Sequence, residues 1–377
     1  MTTSAASEQT RAPSPGDRHG ALPQIVHVIP YDGIGGVEIA ASSVAAGPYP
    51  GFVFRKVYIA SRRASMPRDH IYESGVGGEN NPLAFLRTIA HLLRARPEIL
   101  VLSLWRSCIV GMAVKLLRPR TRLVLFLHNT RHSNPVDALL TRMTARIAEA
   151  IWADSASTAA QRLGPAWALR ARPISFLTAR IPRVAAERPA PHFITWGRLH
   201  PRKRIEWALD FFALVHARHA DARFTIIGPD RGEGAMLEAK VAALGLADAV
   251  RFLGAADMPD IARHAASAAF FVQTSKSEGM GMAVVEAMQM GLVPVVTPVG
   301  EIGSYVENMR NGVWFATSED ALAKVERLLA DPAAFARMSD AAALTWRDRT
   351  LYVDEFVAAC TQLAARPVIA VSQEGPR

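Results

Sequence analysis

Two acidic residues eight positions apart, Glu278 and Glu286, and two basic residues five positions apart, Arg198 and Lys203, could together hold a ligand carrying both phosphate and hydroxyl groups. The acids belong to the run Ser275-Lys276-Ser277-Glu278-Gly279-Met280-Gly281-Met282, followed after Val285 by Glu286-Ala287-Met288. Glycines flanking Met280 just before a helical pattern leave the amides of Met280, Gly281 and Met282 free to point at an anion. Carboxylates accept hydrogen bonds from vicinal hydroxyls, so Glu278 in the loop and Glu286 on the helix suit a sugar or a ribose. Glu278 could instead only cap the helix, but Glu286 sits among Val284, Val285, Ala287 and Met288, where a charge requires a partner. The bases belong to Gly197-Arg198-Leu199-His200-Pro201-Arg202-Lys203-Arg204, in which four cations in seven residues can neutralise a diphosphate.

Three further places carry weaker signals. Gly33-Ile34-Gly35-Gly36-Val37-Glu38 combines close backbone approach at Gly35 and Gly36 with the start of a helix, and reads equally well as a tight turn. His128-Asn129 follows an apolar run, where a hydrogen-bonded structural histidine is the commoner case and ligand contact the alternative. Gly228-Pro229 is a turn that shapes a pocket floor.

All five places lie just after apolar runs, where ligands bind in open parallel sheets. Short aliphatic runs alternate with segments of helical period, which predicts an α/β chain of βαβ units, and the pattern occurs twice. Strands are expected at 24–29, 52–59, 99–102, 123–127, 150–153 and 174–177, then at 193–196, 224–227, 250–253, 269–272 and 293–296. Pro182, Pro189 and Pro191 break regular structure between the two series and place the domain boundary there. The expected division is a tail over 1–22, an N-terminal domain over 23–180, a linker over 181–191, a C-terminal domain over 192–345, a terminal helix over 346–366 and a tail over 367–377.

Composition excludes several classes. Half the residues are hydrophobic and a fifth charged, as in a folded α/β protein. No stretch approaches the roughly 18 consecutive apolar residues of a membrane span, and the first twenty residues lack a signal-peptide core. Cys108 and Cys360, far apart and without metal-ligand spacing, suggest neither a disulfide framework nor a metal site, which fits a reducing cytoplasm. The net charge of +9 is uneven: residues 1–190 hold 24 Lys and Arg against 12 Asp and Glu, whereas residues 191–377 hold 19 against 22. In the N-terminal half these bases flank apolar groups, as in Arg87, Arg94 and Arg96 around Ile89, Leu92 and Leu93. Such a surface suits an anionic membrane face, although ordinary solvated helices give the same pattern. Stacking aromatics are not interleaved and no nucleic-acid motif appears, so nucleic acid is not expected as a partner.

In order along the chain, Gly-Arg-Leu with a Lys four residues after the Leu, a turn Gly, and Glu-Gly-x-Gly with a second Glu eight positions after the first resemble the retaining glycosyltransferases of family 4. The resemblance runs from about Ile25 to the final helices and is strongest from Phe193 to Gly312. It implies the GT-B fold, two Rossmann-like domains facing across a cleft with C-terminal helices packing back toward the N-terminal domain. It further implies an enzyme that moves a hexose-type sugar from a nucleotide-diphosphate sugar to a glycan or lipid-linked acceptor in cell-surface polysaccharide or glycolipid synthesis. Arg198 and Lys203 would hold the diphosphate, Glu286 the ribose, and Glu278 with the amides near Met280 and Gly281 the donor sugar. Gly35 and Gly36 would close on the phosphate from the opposite domain, and His128 would reach the transferred sugar. Gly197, Gly228 and Met282 complete the expected donor site.

The chain departs from the pattern at Met280, where the family usually has an aromatic residue, at Arg204, where Gly is common, and at Glu301, where a second Gly is frequent. Without an Asp-x-Asp motif, the expectation is transfer without a metal or other cofactor, by a cytoplasmic protein touching the inner membrane face. A nucleotide-sugar epimerase or hydrolase on the same scaffold, and a non-catalytic subunit that keeps the fold, are the competing readings.

Overall fold

The computed structural model describes residues 22–33, 35–60, 70–185 and 189–366. The two expected tails, apart from Leu22, and Ile34 of the first glycine run lie outside them.

Two sheets account for the two series of apolar runs. The first contains β1 (Gln24–Tyr31), β2 (Gly47–Tyr49), β3 (Phe52–Ala60), β4 (Ile71–Glu73), β5 (Ile99–Ser103), β6 (Arg122–Leu127), β7 (Ala150–Ala153) and β8 (Ala171–Pro173). They lie in the order β2-β3-β1-β5-β6-β7-β8, with β4 on β3. All pairings are parallel except that of β2 with β3. The central strand β5 is Ile-Leu-Val-Leu-Ser with every residue buried, the continuous apolar reading of a strand covered on both faces.

The second sheet contains β9 (His192–Trp196), β10 (Arg223–Ile227), β11 (Val250–Phe252), β12 (Phe270–Gln273), β13 (Val293–Val296) and β14 (Val313–Trp314), in the order β11-β10-β9-β12-β13-β14. Numbered within the sheet, that order is the 3-2-1-4-5-6 of the doubly wound dinucleotide-binding fold. Its direction reverses between β9 and β12, and ligands bind in the crevice outside the carboxyl ends at such a point. The fold is therefore α/β with two Rossmann-like domains, the GT-B arrangement.

One expected strand is absent. Residues 174–177 are not in the ladder, which ends at Pro173. Ile174 N still bonds Ala153 O, but then Ser175 N turns to Glu355 Oε2, and Leu177 O accepts from Tyr352 N at 2.7 Å. Ile174 and Phe176 are buried under the last helix and Leu177 in the core of the second domain, so an apolar run signalled burial without strand pairing.

That last helix, Tyr352–Ala364, returns to the first sheet. Tyr352, Phe356, Ala359, Cys360 and Leu363 pack in one core with Ile25, Phe54, Phe126 and Trp152. Phe356 sits 5.4 Å, centroid to centroid, from Phe54 and 5.5 Å from Trp152, both edge-on.

Candidate donor site

The site is assembled from the carboxyl ends of β9 and β12 and the helix Met282–Gln289. Gly197 and Gly228 form its floor. Gly197 has φ +129° and Gly228 φ +151°, and any Cβ at Gly228 would strike the Gly197 carbonyl, so both positions require glycine. Over this floor runs the Lys203 side chain, whose Nζ pairs with Glu278 Oε1 at 2.9 Å and lies 3.4 Å from Gln273 Oε1. Ser275 Oγ donates to the same Glu278 oxygen at 2.6 Å. Burial pulls the Glu278 carboxyl up, but Lys203 and the Ser275 bond outweigh it and hold the group below its ordinary value, so it is ionised at neutral pH.

Glu286 finds its partner in Trp196, whose indole Nε1 donates to Oε2 at 2.7 Å. Its charge is less well compensated: burial pushes it up to about 7, against the pull of Trp196 and Lys203. Arg198 stands exposed at the rim with no protein partner among the described residues. It lines one pocket with Trp196, Gly197, Lys203, Gln273 and Thr274. Arg198, Lys203, Glu278 and Glu286 thus surround one crevice at the reversal point of the second sheet.

Arg204 differs from the expected diphosphate cluster. It occupies the left-handed region, φ +48°, a conformation that glycine adopts without strain. Its guanidinium turns inward, donating to Thr274 O at 3.0 Å and Ser275 O at 3.1 Å, and stacks 3.9 Å above the Trp207 ring. These contacts offset the strained backbone and fix the strand-end loop, so this cation is used within the protein.

The loop before the helix is held from below. Gly281 is left-handed at φ +72° and caps the helix without a side-chain bond; a Cβ there would lie 2.8 Å from Ile302 Cγ1. Tyr305 Oη donates to Met280 O at 2.7 Å, a support for which the sequence carried no signal beyond a buried aromatic.

The opposite wall belongs to the first domain. The helix Gly36–Ser43 begins at Gly35, again with no side-chain cap. A Cβ on Gly36 would lie 3.4 Å from Met282 Cγ, so the two helix starts meet across the cleft. Glu38 folds back over Gly35. Met280 and Met282 also pack on the first domain's core, and Thr130 Oγ1 donates to Glu278 O at 3.1 Å.

His128 is placed beneath this surface, 3% exposed, with its ring 4.3 Å from that of Phe126. Its Nε2 bonds Ser103 Oγ at 2.9 Å, and Ser103 bonds His27 Nε2 at 2.7 Å. Burial, with His27 and Arg162 nearby, holds His128 well below its ordinary value, and it is neutral. Its ring is therefore built into the core, while Asn129 and Thr130 after it meet the donor loop. The Arg162 guanidinium, 2.5 Å from Asp137 Oδ1, holds His128 O at 3.1 Å and Arg131 O at 3.3 Å and so shapes that loop.

Residues 190–331 match the family model described as glycosyl transferases group 1. The chain therefore resembles that family over its second sheet and the helices around it. It is 28% identical over 151 residues to GDP-mannose:cellobiosyl-diphosphopolyprenol alpha-mannosyltransferase of Komagataeibacter xylinus, covering 40% of this chain and 38% of that protein. It is 32% identical over 152 residues to alpha-D-kanosaminyltransferase of Streptomyces kanamyceticus, covering 39% and 38% respectively. The chain thus matches well under half the length of these relatives. Among solved structures, Anabaena Alr3699/HepE in complex with UDP superposes with a TM-score of 0.74 at 18% identity, over 92% of this chain and 100% of that one. Sucrose-phosphate synthase from Thermosynechococcus elongatus gives 0.73 at 17% identity, over 90% and 99%. These likenesses show a shared fold across both domains.

Among the described residues no group of three or more His, Cys, Asp or Glu is placed to hold a metal, and no helix is long and apolar enough to cross a membrane.

Proposed function

We propose that the chain is a glycosyltransferase that takes a hexose-type sugar from a nucleotide-diphosphate donor and retains its anomeric configuration. The observation that carries this reading is that two helices with glycine N-caps, Gly36–Ser43 and Met282–Gln289, meet across the cleft, with Lys203 tied to Glu278 in the loop before the second. Helix N-termini present unpaired amides and a partial positive charge, so the pair forms a socket for a pyrophosphate. Glu286 beside Trp196 would take the ribose hydroxyls, and Glu278 with the Met280–Met282 amides the sugar. In the transfer, the bond from the anomeric carbon to the diphosphate oxygen breaks and a bond to the acceptor oxygen forms on the same face. The acceptor's proton passes to the leaving phosphate, and Arg198, Lys203 and the helix ends stabilise the developing charge without a metal.

The acceptor reading rests on the first domain. Helix Pro135–Ile147 exposes Val136, Leu139, Met143 and Ile147 along one stripe, with Arg142 and Arg146 exposed beside it. Leu116, 80% exposed, and Leu117 extend the apolar surface next to Lys115 and Arg118. An apolar stripe edged with arginine suits an anionic bilayer, and supports a lipid-linked or membrane-proximal glycan as acceptor at the inner membrane face.

Thermal-shift titration with UDP-, GDP- and ADP-sugars tests the donor assignment. Stabilisation by one base class, lost in Arg198→Ala, is expected. No stabilisation by any nucleotide sugar would defeat the reading.

A further inference from the structure

Beside the donor loop the seam between the domains holds a run of polar groups with no part in the proposed transfer. Asp154, the first residue after β7, is 7% exposed. Its Oδ2 accepts from Asn129 N at 3.3 Å, and a Cβ on Gly279 of the opposite domain would lie 3.1 Å from the same oxygen. Its Oδ1 accepts from Ser155 Oγ at 3.3 Å, and Ser155 Oγ lies 3.2 Å from Ser157 Oγ. Ser157 Oγ donates across the seam to Glu301 Oε2. Glu301 Oε1 takes Ser304 Oγ at 2.6 Å, and Glu301 N bonds Gly279 O at 2.9 Å. Two carboxylates, one from each domain and both from residues that touch Gly279, thus each take a serine hydroxyl, and the two serines lie side by side.

The charged neighbours do not neutralise this pair. Among the described residues no Lys, Arg or His forms an ion pair with Asp154 or Glu301. Arg162 is committed to Asp137 and to the carbonyls of His128 and Arg131, and Lys203 to Glu278. The Tyr305 hydroxyl, raised well above its ordinary value by burial and by Glu278 and Glu301, stays neutral. Burial, reinforced by Glu301 and opposed by bonds from Thr158, Asn129 and Ser155, pushes Asp154 up to about 6.

We propose that Asp154 is a positioning residue for the donor loop, and that its proton controls closure of the cleft. Protonated, it lets Gly279 and Glu301 seat against the first domain; ionised, it repels Glu301 and favours water between the domains. This rests on reading 278–282 as the donor-sugar loop. Opening returns Asp154 to water, so its affinity for a proton is higher in the closed form, and closure is favoured below about pH 6 and weakened as pH rises through that value. A fall from about 6 to the ordinary 3.8 on opening corresponds to a closed-to-open ratio about a hundredfold smaller at high pH than at low pH.

Small-angle scattering of the full chain from pH 5 to 8.5, without substrates, measures this directly. The wild type should expand as pH rises from 5 toward 7, over which the closed-to-open ratio falls about tenfold, Asp154→Asn should stay compact throughout, and Glu301→Gln should shift the expansion to lower pH. Constant dimensions in the wild type would overturn the proposal without any variant. So would an Asp154→Asn protein that keeps the full transition while melting cooperatively. Because the readout needs no turnover, failure of donor binding would remove the donor role of loop 278–282 and leave only the pH-dependent closure standing.

Discussion

The two domains are built on the same parallel-sheet plan, yet they treat their polar strand ends differently. In the second domain the polar groups after β9 and β12 face the crevice: Lys203 with Glu278, Trp196 with Glu286, and Arg198 at the rim. In the first domain the corresponding groups are sealed inside. His128, Ser103 and His27 form a buried chain, and Arg162 with Asp137 lies almost entirely out of water. One sheet turns its polar residues to a crevice, and the other uses them to shape a loop that presses against the second domain. Substitutions of these polar strand-end groups should therefore divide by domain, with function lost in the second and architecture in the first.

The largest effect is expected at Phe356, which belongs by sequence to the end of the chain and by contact to the first sheet. Phe356→Ala should cost about 3–5 kcal/mol in chemical denaturation, with nucleotide binding by the second domain surviving at denaturant concentrations that melt the first. Loss of both together would merge the two domains into one cooperative unit. Next comes Arg198→Ala, expected to lower kcat about 10²- to 10³-fold with an unchanged melting temperature, because the side chain is exposed and unpaired. Gly281→Ala should destabilise by about 1–3 kcal/mol through its left-handed backbone, and weaken donor binding as well. Gly36→Ala, with an ordinary contact to Met282, should affect donor binding alone.

Glu286 adds a pH dependence. Its carboxyl titrates near 7 in the free protein, so donor affinity should fall about tenfold per unit as pH drops below that value if the ionised form accepts the ribose hydroxyls. Glu286→Gln should flatten this profile in calorimetric titration. The stability sign is the reverse: a raised carboxyl loses folding free energy as pH climbs from its unfolded value of 4.5 to about 7, so the glutamine variant should be the more stable protein above pH 7. The smallest effect is expected from Leu139→Glu with Met143→Glu, which should reduce flotation with anionic vesicles and leave turnover on a soluble acceptor within about twofold.

This division also explains what could be read in advance. β7 and β13 fall on the expected residues, because a continuous apolar run of four that ends at polar or turn-forming residues has one reading in an alternating chain. The meeting of Lys203 with Glu278 was legible because both follow strands that lie side by side in the second sheet, whereas the roles of Arg198, Lys203, Glu278 and Glu286 came from the resemblance. Residues 174–177 misled because burial of Ile174 and Phe176 came from a helix 178 residues further on, at Tyr352, which local pattern does not register. Arg204 looked like a ligand cation for a similar reason: nothing in a charge run reveals that one member turns back to Thr274 and Ser275. Asp154, Ser157 and Tyr305 were silent, since each acts on the other domain's or a distant loop's backbone and belongs to no local motif.

The return of residues 352–364 to the first sheet sets an order of events during synthesis. A ribosome delivers Ile25, Phe54, Phe126 and Trp152 long before the segment that covers them, so the first half of the nascent chain must wait with an open apolar flank while the entire second half is translated. A premature stop near residue 350 would leave a product with a finished nucleotide half and an uncovered partner, prone to capture by chaperones and to aggregation.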